Sequence, residues 1–198
     1  MKNPKISIVI PISDMKDGAY FLWRAINSIM AQTFKDYEIV ITKEGKMAEN
    51  TNAAIKKARG ELIKILYMDD YLAHGNTLQE IVDNFTPKTM WLASGCIHDA
   101  GDGVLVNPHF ATWEEGVKTG GNTVGSPSVI TLRNGLGMYF DERMSWLLDC
   151  EFYGRMYDKY GAPKILNSPD IVIGLGSHQM TNLLTDEEKL LEFNYLKK

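Results

Sequence analysis

Residues 5–12, KISIVIPI, place apolar side chains on both faces of an extended segment, the pattern of a parallel strand buried between two layers. Asp14 or Asp17 can then cap a helix in which Leu22, Ala25, Ile26, Ile29 and Met30 recur at helical spacing as one apolar stripe. YEIVIT (37–42) predicts a second strand, residues 48–59 a short helix closed by Gly60, and LIKILY (62–67) a third strand. Strand, helix, strand, helix, strand in this order predicts a parallel sheet with right-handed crossovers.

Asn76 then reads as the cap of a helix running to Phe85, and TMWLASGCI (89–97) as a fourth strand. From Asp99 to Gly125 the periodicity dissolves into glycines, a proline and isolated aromatics, which predicts loops and short strands around a site. SPSVITL (126–132) returns to a strand pattern, Ser145–Tyr160 predicts a helix ended by Gly161 and Pro163, and DIVIGL (170–175) a last strand. The acidic stretch from Asp186 predicts a surface helix. The expected class is α/β: a Rossmann-type, mostly parallel sheet flanked by helices on both faces.

Composition narrows the class without naming a chemistry. A chain of 198 residues, 44% hydrophobic and 23% charged, suits one globular domain. The formal net charge of -4 offers no basic face for nucleic acid. No apolar run approaches the roughly 20 residues of a membrane span, and the N-terminal stretch reads as a first strand rather than a cleavable leader. Cys96 and Cys150 stand far apart with no CxxC, which suits a reducing compartment, so the expected location is the cytoplasm.

The apolar strand LIKILYM ends on two adjacent carboxylates, Asp69 and Asp70. Ligands of open parallel sheets bind outside the carboxyl ends of strands, and paired acids there suit a divalent ion, Mg²⁺ or Mn²⁺, that holds a phosphate. The competing reading is a turn, with Asp70 opening it and Asp69 capping the next segment. The two readings are evenly balanced on these residues alone.

The acidic strand end closes the last of three ordered blocks: ISIVIPI, then SIMAQTFKDYEIVI, then NAAIKKARGELIKILYMDD. With the later segment GSPSVITLRNGLGMYFDERMSWLLDCEFYGRMYDKYG, this ordered set resembles the family 2 glycosyltransferases of the GT-A fold over residues 5–175. The resemblance implies a donor half (about 1–97) that binds a nucleotide-sugar, an acceptor-side half (about 98–180) and a C-terminal tail (181–198). It implies that Asp69 is the metal-binding acid of the family's Asp-x-Asp motif, here Tyr67-Met68-Asp69 with the first acid replaced, and that Asp70 is a second ligand. His178, in GLGSHQMT, falls where relatives supply a late metal or phosphate ligand; a solvent-facing loop histidine is the alternative.

The nucleotide-sugar-binding set implied by the resemblance is Pro11, Ser13, Glu44, Asn52 and Asp69. The second strand runs into Lys43-Glu44-Gly45-Lys46 where the family has Asp-Asp-Gly-Ser, so either lysine can meet a phosphate or remain a solvated loop residue. Asp149 matches the family's catalytic acid, with Leu148 in place of the usual preceding Glu, and Glu151 is the fallback. Phe152, Tyr153 and Met156 surround Asp149 at helical spacing, an apolar face that suits a general base; a first-turn Asp favoured by the helix dipole is the plainer reading.

The expected function is transfer of a sugar from a nucleotide-sugar, a UDP-sugar foremost, to the hydroxyl of a glycan or other acceptor in polysaccharide biosynthesis, inverting and dependent on Mn²⁺ or Mg²⁺. The alternative is a catalytically degenerate nucleotide- or glycan-binding module of the same fold, supported by the departures at Tyr67, Lys43 and Thr51. A nucleotidyltransferase is disfavoured, because no glycine-rich phosphate loop follows the first strand.

Overall fold

The computed structural model describes residues 2–101 and 103–197. The strands are β1 (Ile6–Pro11), β2 (Tyr37–Thr42), β3 (Leu62–Ile65), β4 (Tyr71–Leu72), β5 (Trp91–Asp99), β6 (Leu105–His109), β7 (Ile130–Arg133) and β8 (Lys164–Gly174). The helices are α1 (Gly18–Met30), α2 (Met47–Lys57), α3 (Thr77–Asn84), α4 (Leu148–Tyr160), α5 (Met180–Leu183) and α6 (Asp186–Leu196).

All six residues of β1 are buried, as apolar side chains on both faces require of a central strand. It pairs in parallel with β2 on one side and β3 on the other. The eight-stranded sheet continues from β3 through β7, β5 and β8 to β4, with β6 attached to β5. Because β7 is antiparallel to both β3 and β5, and β8 is parallel to β5, the strands β1, β2, β3, β5 and β8 share one direction. β4, β6 and β7 run the other way. The sheet is therefore mostly parallel, and the carboxyl ends of β3, β5 and β8 emerge along one rim. That rim gathers Asp69, Asp99 and the segment leading to His178.

Several local expectations shift. Met30 is 58% exposed, so the stripe of α1 that packs on the sheet is Ala25 and Ile29, with Leu22 and Ile26 at its margin. Residues Pro127–Val129 form a 3₁₀ turn and β7 begins only at Ile130. β8 starts at Lys164, ahead of the apolar DIVIGL, and its polar first half pairs with β5 through register shifts around Gly95. α4 begins at Leu148 because the backbone N–H groups of Ser145, Trp146 and Leu147 donate to the carboxylate of Glu192 on α6, at 2.7, 2.8 and 2.9 Å. A side chain from another helix thus holds the backbone that leads into α4, the N–H of its N-cap Leu147 included, and it anchors α6.

The core also takes in ionisable side chains, among them Lys64, Asp70, Asp99 and Asp170. Lys64, in the middle of β3, is fully buried; its Nζ donates to the Ser128 carbonyl and, at 3.4 Å, to that of Ile130. Burial pushes the ammonium down to about 7, and Asp170 and Asp70 oppose that shift. Among the described residues no helix is long and apolar enough to cross a membrane.

Candidate active site

β3 ends in a tight turn in which the N–H of Asp70 donates to the carbonyl of Tyr67 at 3.0 Å. The turn sends the two acids in different directions. Asp70 is 3% exposed, and its Oδ1 accepts the N–H of Gly174, at the end of β8, at 3.0 Å. Burial and the adjacent Asp69 hold its carboxyl well above the usual carboxylate range, against the bonds from Ser128 and Gly174. Asp69 keeps its carboxylate at the rim: its Oδ2 stands 3.0 Å from Nε2 of His178, and both side chains are 18% exposed.

The peptide carrying Asp69 is clamped. Its carbonyl accepts Nη2 of Arg24 at 2.6 Å, while Nη1 of Arg24 donates to Asp99 Oδ2 at 2.7 Å. The hydroxyl of Tyr71 donates to the same Asp99 oxygen at 3.2 Å, and the guanidinium lies 4.3 Å from the Tyr71 ring centroid. Gly174 completes the clamp from behind, since a Cβ there would stand 2.5 Å from the Asp69 carbonyl oxygen. Phe21 packs on His178 with ring centroids 5.2 Å apart, so α1 braces both halves of the pair.

Two ligands at right angles on an ion with bonds of about 2.1 Å stand about 3 Å apart. The oxygen of Asp69 and the nitrogen of His178 have that spacing, which is also that of the hydrogen bond they make to each other, so the two atoms can share a proton or stand as neighbouring ligands. A second group, His74, Glu80 and Asp170, brings three ligand-type atoms within 4.8 Å of one another. There Nδ1 of His74 accepts the Asn76 N–H at 3.3 Å, which leaves the proton on Nε2, donated to Asp170 Oδ1 at 3.1 Å. An ion at Nε2 would have to displace that proton, as it would between His178 and Asp69; the His74 cluster differs in that the Asn76 N–H fixes the tautomer of its histidine.

Asp149 sits in the first turn of α4, half-buried, among the buried Phe152, Tyr153 and Met156. Its Oδ1 accepts the N–H of Cys150 and its Oδ2 the amide of Asn122, each at 2.7 Å. Burial pushes its carboxyl up to about 6 despite these bonds. Glu151 is tied instead to Arg155, at 2.5 and 2.6 Å. Tyr67, where the resemblance expects an acid, has a buried hydroxyl that desolvation holds neutral.

The remaining expected residues line the ends of β1 and β2. Pro11 closes β1, and the Ser13 N–H meets Met68 Sδ at 3.2 Å. Glu44 is exposed and paired with Lys57 at 2.5 Å, and Lys43 with Asp14 at 2.7 Å. Asn52 is buried, and its amide is spent within the protein: Nδ2 donates to the Phe140 carbonyl at 2.9 Å and to Glu142 at 3.0 Å, and Oδ1 accepts the Phe140 N–H at 2.8 Å. It joins α2 to the turn that precedes α4. Arg24, Asp99 and Asn122 carry no local signal in the sequence, because the first two act through a carbonyl and a tertiary ion pair and the third lies in an aperiodic loop.

No protein-family model matches the chain. Over 68 residues, 34% of this chain and 20% of the relative, it is 34% identical to an uncharacterized glycosyltransferase of Rickettsia prowazekii. Over 65 residues it is 31% identical to an uncharacterized glycosyltransferase of Rickettsia conorii, covering 33% of this chain and 10% of that protein. The matched stretch is thus a fifth or less of either relative's length. Among solved structures, residues 1–349 of S. aureus TarS in complex with UDP superpose with a TM-score of 0.68 at 18% identity, covering 87% of this chain and 61% of that one. The mannosyltransferase PcManGT from Pyrobaculum calidifontis, in complex with GDP-Man and Mn²⁺, superposes with a TM-score of 0.63 at 14% identity, over 89% and 59% of the two chains. With its mostly parallel sheet, its helical flanks and an acidic strand end at the rim, the chain has the GT-A fold of these glycosyltransferases.

Proposed function

We propose that this chain transfers a sugar from a nucleotide-sugar to an acceptor hydroxyl, with inversion at the anomeric carbon, as a family 2 glycosyltransferase. The observation that carries the reading is the convergence of Asp69 and His178, 3.0 Å apart at the ends of β3 and β8. When bound there, Mn²⁺ or Mg²⁺ would neutralise charge on the diphosphate leaving group. Asp69 and His178 would hold it; Asp70 holds the strand end through Gly174. Asp149 takes the proton of the acceptor hydroxyl as that oxygen bonds to the anomeric carbon, and the bond from that carbon to the diphosphate breaks with its electron pair leaving on the nucleoside diphosphate. One base opposite one leaving group gives a single displacement and hence inversion.

Support for a UDP-sugar as donor comes from TarS, whose structures hold UDP and UDP-GlcNAc, and support for manganese from PcManGT. Pro11, Ser13 and the Glu44 region form the nucleotide side, and a glycan is the acceptor class, as in polysaccharide assembly. Two buried free cysteines support a cytoplasmic setting. A second reading, a module that binds nucleotide or glycan without turnover, draws on the pairing of Glu44 with Lys57 and on Tyr67 in the place of an acid.

The test is calorimetric titration of UDP, GDP and CMP with Mn²⁺ and then with EDTA, followed by hydrolysis of the matching nucleotide-sugar. Mn²⁺-dependent binding of one nucleotide together with slow hydrolysis is expected. Binding without turnover selects the second reading, and no binding of any nucleotide overturns both as far as a donor is concerned.

The clamp on Asp69 gives a further expectation. Gly174→Ala would drive a methyl against the Asp69 carbonyl, where 2.5 Å is available. Displacement of a ligand by a fraction of an ångström lowers kcat/KM on the order of 10- to 100-fold. Steady-state transfer at saturating and limiting Mn²⁺ checks this, with the larger loss expected at limiting metal.

A further inference from the structure

The aperiodic stretch before β7 contains a side chain with no freedom left. Oδ1 of Asn122 accepts the N–H groups of Val124 and Gly125 at 3.0 and 2.9 Å, and its Nδ2 donates to the Gly125 carbonyl at 3.0 Å and to Asp149 Oδ2 at 2.7 Å. An amide has two donors and two accepting lone pairs, so all four are filled and the group cannot be flipped without breaking every bond. The local turn depends on Gly125, whose φ of 116° is open to glycine and strained for other residues.

We propose that Asn122 is the positioning residue of the catalytic base: its fixed amide holds one oxygen of Asp149 and leaves the other to receive the acceptor hydroxyl's proton. This rests on the assignment of Asp149 as base. A carboxylate oxygen has two lone pairs, so Oδ1, which already accepts the Cys150 N–H, retains one for substrate. A donor at 2.7 Å also favours the ionised carboxylate against the desolvation imposed by α4. The other titratable groups facing Asp149 are the Cys150 thiol on its own helix, the Tyr153 hydroxyl one turn on, and the Tyr67 hydroxyl from the end of β3. Burial pushes all three up, so they remain neutral across the working range; the Cys150 thiol also bonds the carboxylate from its own helix, and Asn122 adds a donor from outside α4 that fixes which oxygen is held.

The experiment is the pH profile of kcat/KM for Asn122→Ala and Asn122→Asp beside the native chain, with UDP affinity and melting temperature measured on each. Asn122→Asp retains an oxygen for the Val124 and Gly125 N–H groups, so it preserves the turn should the alanine variant unfold. Loss of one charge-assisted bond at a solvent-accessible site is expected to move the acidic limb up by about one pH unit in Asn122→Ala. A larger shift is expected in Asn122→Asp, where a second carboxylate faces the first, with UDP affinity unchanged in both. An unmoved limb with activity lowered equally at every pH would overturn the inference and leave Asn122 a loop residue. If Asp149→Asn retains the native rate, it is the base assignment itself that falls.

Discussion

Asp149→Asn is expected to lower sugar transfer by about 10²- to 10⁴-fold, the contribution of a positioned general base, while leaving Mn²⁺-dependent binding of the nucleotide intact. The asparagine is isosteric and can keep the Cys150 N–H bond, so the loss falls on proton transfer rather than on the start of α4. In the native chain kcat/KM should rise with pH through about 6, where burial has pushed the Asp149 carboxyl, because the base works only when ionised. The sign for stability is opposite. A carboxyl whose folded pKa lies above its unfolded value favours folding less as it ionises, so its cost is absent below the ordinary carboxylate pKa and fully present above about 6. Asp149→Asn removes that cost but sets its Nδ2 against Nδ2 of Asn122 in place of the 2.7 Å bond, so the two effects oppose each other and the variant should melt close to the native chain at pH 7 to 8. A variant that both melts lower and loses nucleotide binding would mark Asp149 as structural.

That inverse relation between stability and role explains which parts of the molecule could be read from the sequence. β1, α1, α2 and β3 are legible because each buries a face in the core, and burial on that scale imposes a pattern on the chain, whereas β2, with Ile41 45% exposed, is legible from its β-branched run alone. The same logic exposed Asp69 and Asp149, polar residues set where the pattern is otherwise apolar. β4 was not legible, since two residues, Tyr71 and Leu72, cannot show a period. Nor was the first half of β8, whose KILNSP is polar and becomes a strand through pairing with β5 across shifted registers. Lys64 interrupts an apolar strand with no local sign of the partner carbonyls, which lie more than sixty residues away. The divergence of Asp69 and Asp70 is likewise tertiary: only the arrival of Gly174 behind the turn makes one acid an anchor and leaves the other at the rim.

That divergence underlies the second large effect. Asp69→Ala is expected to abolish Mn²⁺-dependent binding of the nucleotide, a loss beyond the roughly 10- to 100-fold that removal of a mere supporting residue causes at a metal site. The fold should survive, because the structural contacts of residue 69 run through its carbonyl, which Arg24 grips in the variant as in the native chain. Asp70→Ala should do the reverse. It leaves the Gly174 N–H buried without its acceptor, a cost of about 1–3 kcal/mol in stability, while the Asp69 carboxylate and His178 remain to take the ion. Calorimetric titration of UDP with Mn²⁺ and with EDTA, beside thermal melts of both variants, separates the two roles. Equal nucleotide affinity in Asp69→Ala with and without loss of metal relative to the native chain would remove the ion from this rim. Loss of metal dependence in a fully stable Asp70→Ala would instead place Asp70 among the ligands and require its inward carboxylate to turn outward on binding.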